Sequence, residues 1–166
     1  MKYNFCMKCG GRVKKSKGKF VCVECGYVMY KNPKPTTAGV IMKGNKIMLV
    51  RRNKEPYKGW WDLPGGFLDE KETPERCMIR EAKEETGLVV KPVKFLGFKN
   101  DEYDDQRVLG CFFLCKILGG KEKAGDDASE IRWFHKSSLP RNVAFRGVRE
   151  GLKEFAGARF AKRAVK

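Results

Sequence analysis

Short apolar runs recur along most of this chain, and their pattern predicts strands. Thr36–Met42 and Lys46–Arg51 are apolar-rich and joined through Gly44-Asn45, the arrangement expected of a β-hairpin. Trp60–Leu63 predicts a short strand ahead of Pro64-Gly65-Gly66, and Leu88–Val93 is rich in β-branched residues. Val108–Ile117 is nearly all apolar, as in a central buried strand, and Ile131–Phe134 predicts one more strand before a Ser-Ser-Leu-Pro turn. Two segments have helical character. Pro74 to about Thr86 has Thr73 as N-cap, Pro74 at the first helical position and Gly87 as its stop. Near Val143–Phe155, the residues Phe145, Val148, Leu152 and Phe155 recur at helical intervals. The chain is therefore read as α/β, a mixed sheet with a few helices packed on it.

The first 32 residues follow a different rule. Cys6-x-x-Cys9-Gly10 and Cys22-x-x-Cys25-Gly26 are separated by twelve residues, in a unit too small to bury a core of its own. Four thiolates at this spacing point to a structural zinc ion held by Cys6, Cys9, Cys22 and Cys25, a closed set with no position left for substrate. The connector Lys31-Asn32-Pro33-Lys34-Pro35 marks a boundary. The expected organisation is a zinc ribbon over residues 1–32, a main domain over 36–157 and a basic tail over 158–166.

At 166 residues the chain has room for one ordinary domain and a small appendage. No stretch approaches the roughly 18–20 apolar residues of a membrane span, and cysteines rather than an apolar signal core follow Phe5. Paired Cys-x-x-Cys motifs also suit a reducing compartment, so the expected location is cytoplasmic. Cys77, Cys111 and Cys115 sit in apolar surroundings and are read as small buried hydrophobes. The net charge is +16, and it is uneven. Residues 1–35 hold nine Lys/Arg against one acid and residues 141–166 hold eight against two, so polyanions should be drawn to the ends.

The chemistry concentrates in the first predicted helix. Glu81, Glu84 and Glu85 lie at offsets of zero, three and four, which projects three carboxylates from one face. Like charges so crowded call for a compensating cation. The surrounding run is Gly66-x5-Glu72-x7-Arg80-Glu81-Ala82-x-Glu84-Glu85-x-Gly87-Leu88. It resembles the Nudix box, Gly-x5-Glu-x7-Arg-Glu-U-x-Glu-Glu-x-Gly-U with U bulky and aliphatic; Ala82 is the one soft departure. The Trp61-Asp62-Leu63-Pro64-Gly65-Gly66 approach and the Glu130–Phe134 segment also look like that family, so that the resemblance covers roughly residues 36–155.

The resemblance implies an α/β/α sandwich and hydrolysis of a diphosphate bond with Mg²⁺ or Mn²⁺. By match to the box, Glu81, Glu84 and Glu85 are the expected metal ligands, with the Gly65 carbonyl as an extra one. Arg80 and Glu72 are expected to orient them. The general base stays open between Glu84, Glu85 and an acid of the loop Asp126-Asp127-Ala128-Ser129-Glu130, where Glu130 is the candidate and Asp126 and Asp127 read as loop. Of Arg51 and Arg52, one is expected to reach the substrate phosphates. Trp60, Trp61 and Phe67 are open between stacking a base and packing the sheet edge; His135 reads as structural.

The N-terminal ribbon resembles the branch of the family that includes NADH, FAD and ADP-ribose pyrophosphatases. Members specialised for NADH carry a Ser-Gln-Pro-Trp-Pro-Phe-Pro-x-Ser pattern past the box, where this chain has Phe95-Leu96-Gly97-Phe98-Lys99-Asn100-Asp101. The expected substrate is ADP-ribose, FAD or an NAD(H)-like dinucleotide. The rivals are an RNA-associated protein, decapping or binding through Lys14–Lys19 and Arg159–Lys166, and a sanitising hydrolase of damaged nucleoside triphosphates. A homodimer is the expected assembly by family resemblance.

Overall fold

A computed structural model of the chain describes residues 4–161. Strands β1 (Val13–Ser16), β2 (Lys19–Cys22) and β3 (Val28–Tyr30) form a small antiparallel sheet of their own. It carries all four N-terminal cysteines at or beside its turns. After the connector, β4 (Lys34–Lys43) pairs with β5 (Lys46–Arg52) through the expected two-residue turn. The main sheet continues with β6 (Trp61–Asp62), β7 (Leu88–Tyr103), β8 (Gln106–Gly120) and β9 (Ala128–His135), in the order β6-β5-β4-β8-β7 with β9 on β5. The pairing of β4 with β8 is parallel and the others are antiparallel, a mixed sheet.

Helices α1 (Pro74–Thr86) and α2 (Arg146–Ala156) belong to separate apolar cores. Met78 and Ala82 of α1 pack with Ile41, Met48, Val90 and Phe113. Leu152 of α2 packs with Val40, Ile47, Leu49 and Phe112. Successive residues such as Val40 and Ile41, or Ile47, Met48 and Leu49, thus enter different cores, as the period of two demands when both faces of a sheet are covered. This is the expected α/β/α sandwich. Among the described residues no helix is long and apolar enough to cross a membrane.

Helix α1 matches its predicted limits because its ends are written locally. The Thr73 hydroxyl accepts a hydrogen bond from the Arg76 amide at 3.3 Å, Pro74 opens the helix and Gly87 closes it in a left-handed conformation. Helix α2 begins later than Val143. The segment before it is claimed by the sheet: the Trp61 amide donates to the Asn142 carbonyl, the Ala144 amide donates to the Trp61 carbonyl, and Phe145 takes a φ of +48°.

Strand β7 is far longer than the predicted Leu88–Val93. Pro92 and Gly97 each sit at a register shift in the pairing with β8, where a strand absorbs such residues. The expected basic tail also begins later than residue 158. Ala158 is buried, and Arg159 and Ala161 bond to Lys136 and Leu139, so 158–161 is an added edge to that turn. Residues 162–166 of the expected tail lie outside the described residues.

Because Leu152 is fully buried beneath the sheet, truncating it should loosen α2 as a unit. Leu152→Ala is expected to cost about 2–5 kcal/mol in urea denaturation; a loss well under 1 kcal/mol would show that α2 is not part of the core.

Candidate active site

One guanidinium ties the box together. Arg80 of α1 donates from Nε to Glu72 Oε1 at 3.0 Å and from Nη2 to Glu72 Oε2 at 2.9 Å, a two-pronged pair. Its Nη1 lies 2.8 Å from Glu81 Oε1 and 3.0 Å from Glu84 Oε2, and Nη2 also donates to the Phe67 carbonyl at 3.1 Å. One cation therefore joins the loop before the helix, the glycine turn and two of the three helical glutamates. The Arg80 hydrogen bonds pull the Glu72 carboxyl below its ordinary range. Burial pushes Glu81 above its own, and Arg80 offsets this only in part.

Glu85 is held differently. It is buried, and its Oε2 accepts a hydrogen bond from the Gly65 amide at 2.9 Å. Burial drives its pKa well above the usual carboxylate range in spite of that bond, with the charge of Glu81 adding to the rise. The Gly65-Gly66 turn is pinned to β4 by Thr37 N to Gly66 O and Gly39 N to Pro64 O, both 2.8 Å. A side chain at Gly65 would collide with the Thr37 carbonyl, and a Cβ at Gly66 would lie 2.5 Å from Glu81 Cδ. Glycine is required at both places for backbone to approach the carboxylates this closely.

These groups line a cleft of about 240 Å³ together with Asp62, Asp126 and Asp127, with Arg52 and Lys54 as further basic members. Glu81, Glu84, Glu85, Arg80, Gly65, Arg52 and Phe67 are thus brought together in one cleft. Glu72 is not in the lining and acts on it through Arg80.

Three predicted residues are elsewhere. Glu130 pairs with Arg51 and Arg132 across the surface of β9 and does not line the cleft. Arg51 bonds to the Gly59 carbonyl at 3.0 Å and to Glu130, an edge charge. Trp61 is 6% exposed and packs edge-on to Phe134 at 4.8 Å, so it belongs to the core and not to a base-stacking face. His135 bonds Ser137 at 2.7 Å, in keeping with a structural role.

The residues that sequence reading undervalued come from loops and strand ends. Asp126 and Asp127 reach the cleft because the 121–128 segment is tied to the end of α1 by Lys123 N to Thr86 O and Gly125 N to Glu85 O, and Lys54 pairs with Asp127. Their signal was the pair of acids before β9, without the register that aims them. A second, more apolar cavity shares Arg52, Asp62, Gly65, Gly66, Phe67 and Tyr103 with the cleft and runs on to Phe145 and Val148. Its aromatic walls are Phe67, edge-on to Tyr103 at 5.3 Å, and Phe145, stacked on Tyr103 at 5.9 Å.

Arg52 stands at the junction. Its guanidinium lies 4.9 Å from the Phe145 ring centroid, and Nη1 lies 3.2 Å from Asp62 Oδ2. Burial pushes Asp62 up to about 6 despite that pairing.

In the N-terminal sheet the four cysteine sulfurs lie within 4.8 Å of one another. Three separations are 3.4, 3.5 and 3.7 Å, close to the roughly 3.8 Å edge of a tetrahedron with zinc–sulfur bonds of about 2.3 Å. The Lys8 amide is directed at Cys6 Sγ and the Cys25 amide at Cys22 Sγ, and the latter draws the Cys22 thiol down to about 7. The donor set and its spacing fit zinc.

Residues 33–155 match the model of the NUDIX domain. An ADP-ribose pyrophosphatase of Methanocaldococcus jannaschii is 42% identical over 117 residues, 69% of each chain. A NAD-capped RNA hydrolase NudC of Vibrio atlanticus is 30% identical over 139 residues, 82% of this chain but 51% of its own length, so the chain spans about half of such relatives. Among solved structures, a NUDIX hydrolase from Nitrosomonas europaea superimposes with a TM-score of 0.78 at 26% identity, covering 97% of both chains.

The raised pKa of Glu85 fixes the sign of a stability effect. A carboxyl whose folded value exceeds its unfolded value favours the fold while protonated, and the cost of ionising it grows as pH climbs from the unfolded value towards the folded one. In metal-free protein, Glu85→Gln is therefore expected to raise the melting temperature at about pH 8 and to leave it nearly unchanged at about pH 4. A variant less stable at the higher pH would contradict this.

Proposed function

The chain belongs to the Nudix family and is a Nudix hydrolase, and from that premise we propose that it cleaves the diphosphate bridge of ADP-ribose or of a dinucleotide such as NAD(H) or FAD. The observation that carries this reading is the acid cleft opening directly into an aromatic cavity. A diphosphate in the cleft places an attached nucleoside against Phe67, Tyr103 and Phe145. The 42% identical ADP-ribose pyrophosphatase supports the same substrate class.

Nudix hydrolases depend on a divalent metal. The donor set here suits a hard cation, Mg²⁺ or Mn²⁺, which Glu81, Glu84, Glu85 and the Gly65 carbonyl would hold. Such an ion supplies neutralisation of the phosphate charge and a lowered pKa for bound water. The protein's own groups do the rest. Arg52, desolvated and braced by Asp62, is the residue to grip a phosphate oxygen, and Arg51 is not. Arg80 and Glu72 hold Glu81 and Glu84 in place. Of the two glutamates open as proton acceptor, Glu85 is the one that Arg80 does not hold, which favours it to take a proton from the attacking water. The reaction adds one water across the bridge, so ADP-ribose gives AMP and ribose 5-phosphate.

Cys6, Cys9, Cys22 and Cys25 would hold zinc as a structural ion, remote in role from the hydrolysis. The clustered Cys-x-x-Cys pairs, suited to a metal in a reducing compartment, support a cytoplasmic setting. A second reading, a nucleotide-capped RNA as substrate, is supported by the relatives named NAD-capped RNA hydrolase.

With Mg²⁺ and a panel of ADP-ribose, NADH, FAD, diadenosine polyphosphates, 8-oxo-dGTP and NAD-capped RNA, ADP-ribose or a dinucleotide should be the best substrate by chromatography of products. Glu85→Gln should lower kcat by roughly 10²-fold or more. Arg52→Ala should raise KM, whereas Arg51→Ala should leave kcat/KM within about twofold. Preference for a nucleoside triphosphate would overturn the substrate class, and equal effects of the two arginines would overturn the role of Arg52.

A further inference from the structure

Helix α2 has two working sides. Phe145, Gly147 and Val148 line the aromatic cavity beside the acid cleft. Arg146, Arg149, Glu150 and Lys153 face a separate depression of about 370 Å³, completed by Arg141 and Phe160. Four cations meet a single acid there, and that acid is already taken: Glu150 Oε1 lies 2.7 Å from Arg146 Nε. Arg149 and Lys153 are exposed, and the Lys153 ammonium lies 5.7 Å from the centroid of the half-buried Phe160 ring. Phe160 is fixed by its bridge to Leu139, and Arg141 by the 2.9 Å bond from its Nε to the Ala161 carbonyl. Phe160 is therefore held by backbone pairing and Arg141 by its side-chain bond to the same segment.

Cations grouped about an aromatic ring are the two ingredients of a single-stranded nucleic-acid site: phosphates are met by Lys and Arg, and a base face is met by the ring. From Arg146 to Lys153 the helix rises about 10 Å, enough to meet more than one phosphate of an extended strand. An acidic peptide would satisfy the charges but would have no use for the ring. We propose that this face of α2 binds a short segment of single-stranded RNA or DNA. The site is separate from the hydrolytic cleft, since none of its lining residues lies in either of the other two cavities. The proposal thus stands or falls independently of the substrate of the cleft.

Binding of a labelled single-stranded oligonucleotide of roughly 12 residues, measured by fluorescence anisotropy across a salt series on the full chain, tests it. Arg149→Ala with Lys153→Ala should weaken binding about tenfold or more and reduce the slope of log affinity against log salt by about 1.4, two phosphate contacts at about 0.7 each. Phe160→Leu keeps apolar packing and removes the ring; it should weaken the oligonucleotide roughly fivefold while leaving the salt slope unchanged. All three changes should leave ADP-ribose cleavage and the melting temperature near wild type, which separates a failure of this site from a failure of the cleft. The proposal is overturned if poly-glutamate binds as tightly as the oligonucleotide, or if Phe160→Leu has no effect. It is equally overturned if binding survives the α2 changes and is lost on replacing Lys14, Lys15 and Lys17 of the N-terminal sheet.

Discussion

Three carboxylates on one face of a helix repel, and the whole site rests on how Arg80 answers that repulsion. Its planar guanidinium reaches Glu72, Glu81 and Glu84 at once and touches the carbonyl of Phe67. A lysine would supply the same charge at one point, without the fork that sets the spacing. Because the same group holds the glycine turn and the helix, the carboxylates and the backbone that lies over them keep a common frame. Glu85, outside that clamp, is held instead by the Gly65 amide, and burial makes its charge costly.

The sheet makes the clamp useful. Its two covered faces send α1 to one core and α2 to the other, so that the acid helix and the aromatic cavity meet where β4, β5 and the 64–68 turn come together. Arg52 leaves β5 at that junction, pairs with Asp62 and lies against Phe145. The N-terminal sheet is organised on another principle, four sulfurs at near-tetrahedral separations in place of an apolar core.

Much of this was legible before any coordinates. The ends of α1 are set by Thr73, Pro74 and Gly87, and the clamp by the spacing of Glu72, Arg80, Glu81 and Glu84, all local relations. What was not legible depends on partners distant in sequence. Whether Arg51 or Arg52 enters the cleft is decided where the pairing of β5 with β9 shifts register, between those two residues. Trp61 is taken into the core by Phe134 and the Val143 bridge, whereas Glu130, within β9 and past the loop acids that line the cleft, is taken up by Arg51 and Arg132. Tyr103 lies in the part of β7 beyond Val93, which is defined by its pairing with β8.

If Arg80 acts by positioning the carboxylates and not merely by carrying charge, Arg80→Lys should bind metal poorly. Titrating Mn²⁺ into wild type and Arg80→Lys by calorimetry, with circular dichroism to confirm the fold, should show a loss of roughly 10–100-fold in Mn²⁺ affinity with the fold retained. An unchanged affinity would show that the charge alone suffices and that the fork of hydrogen bonds is not what holds the site together.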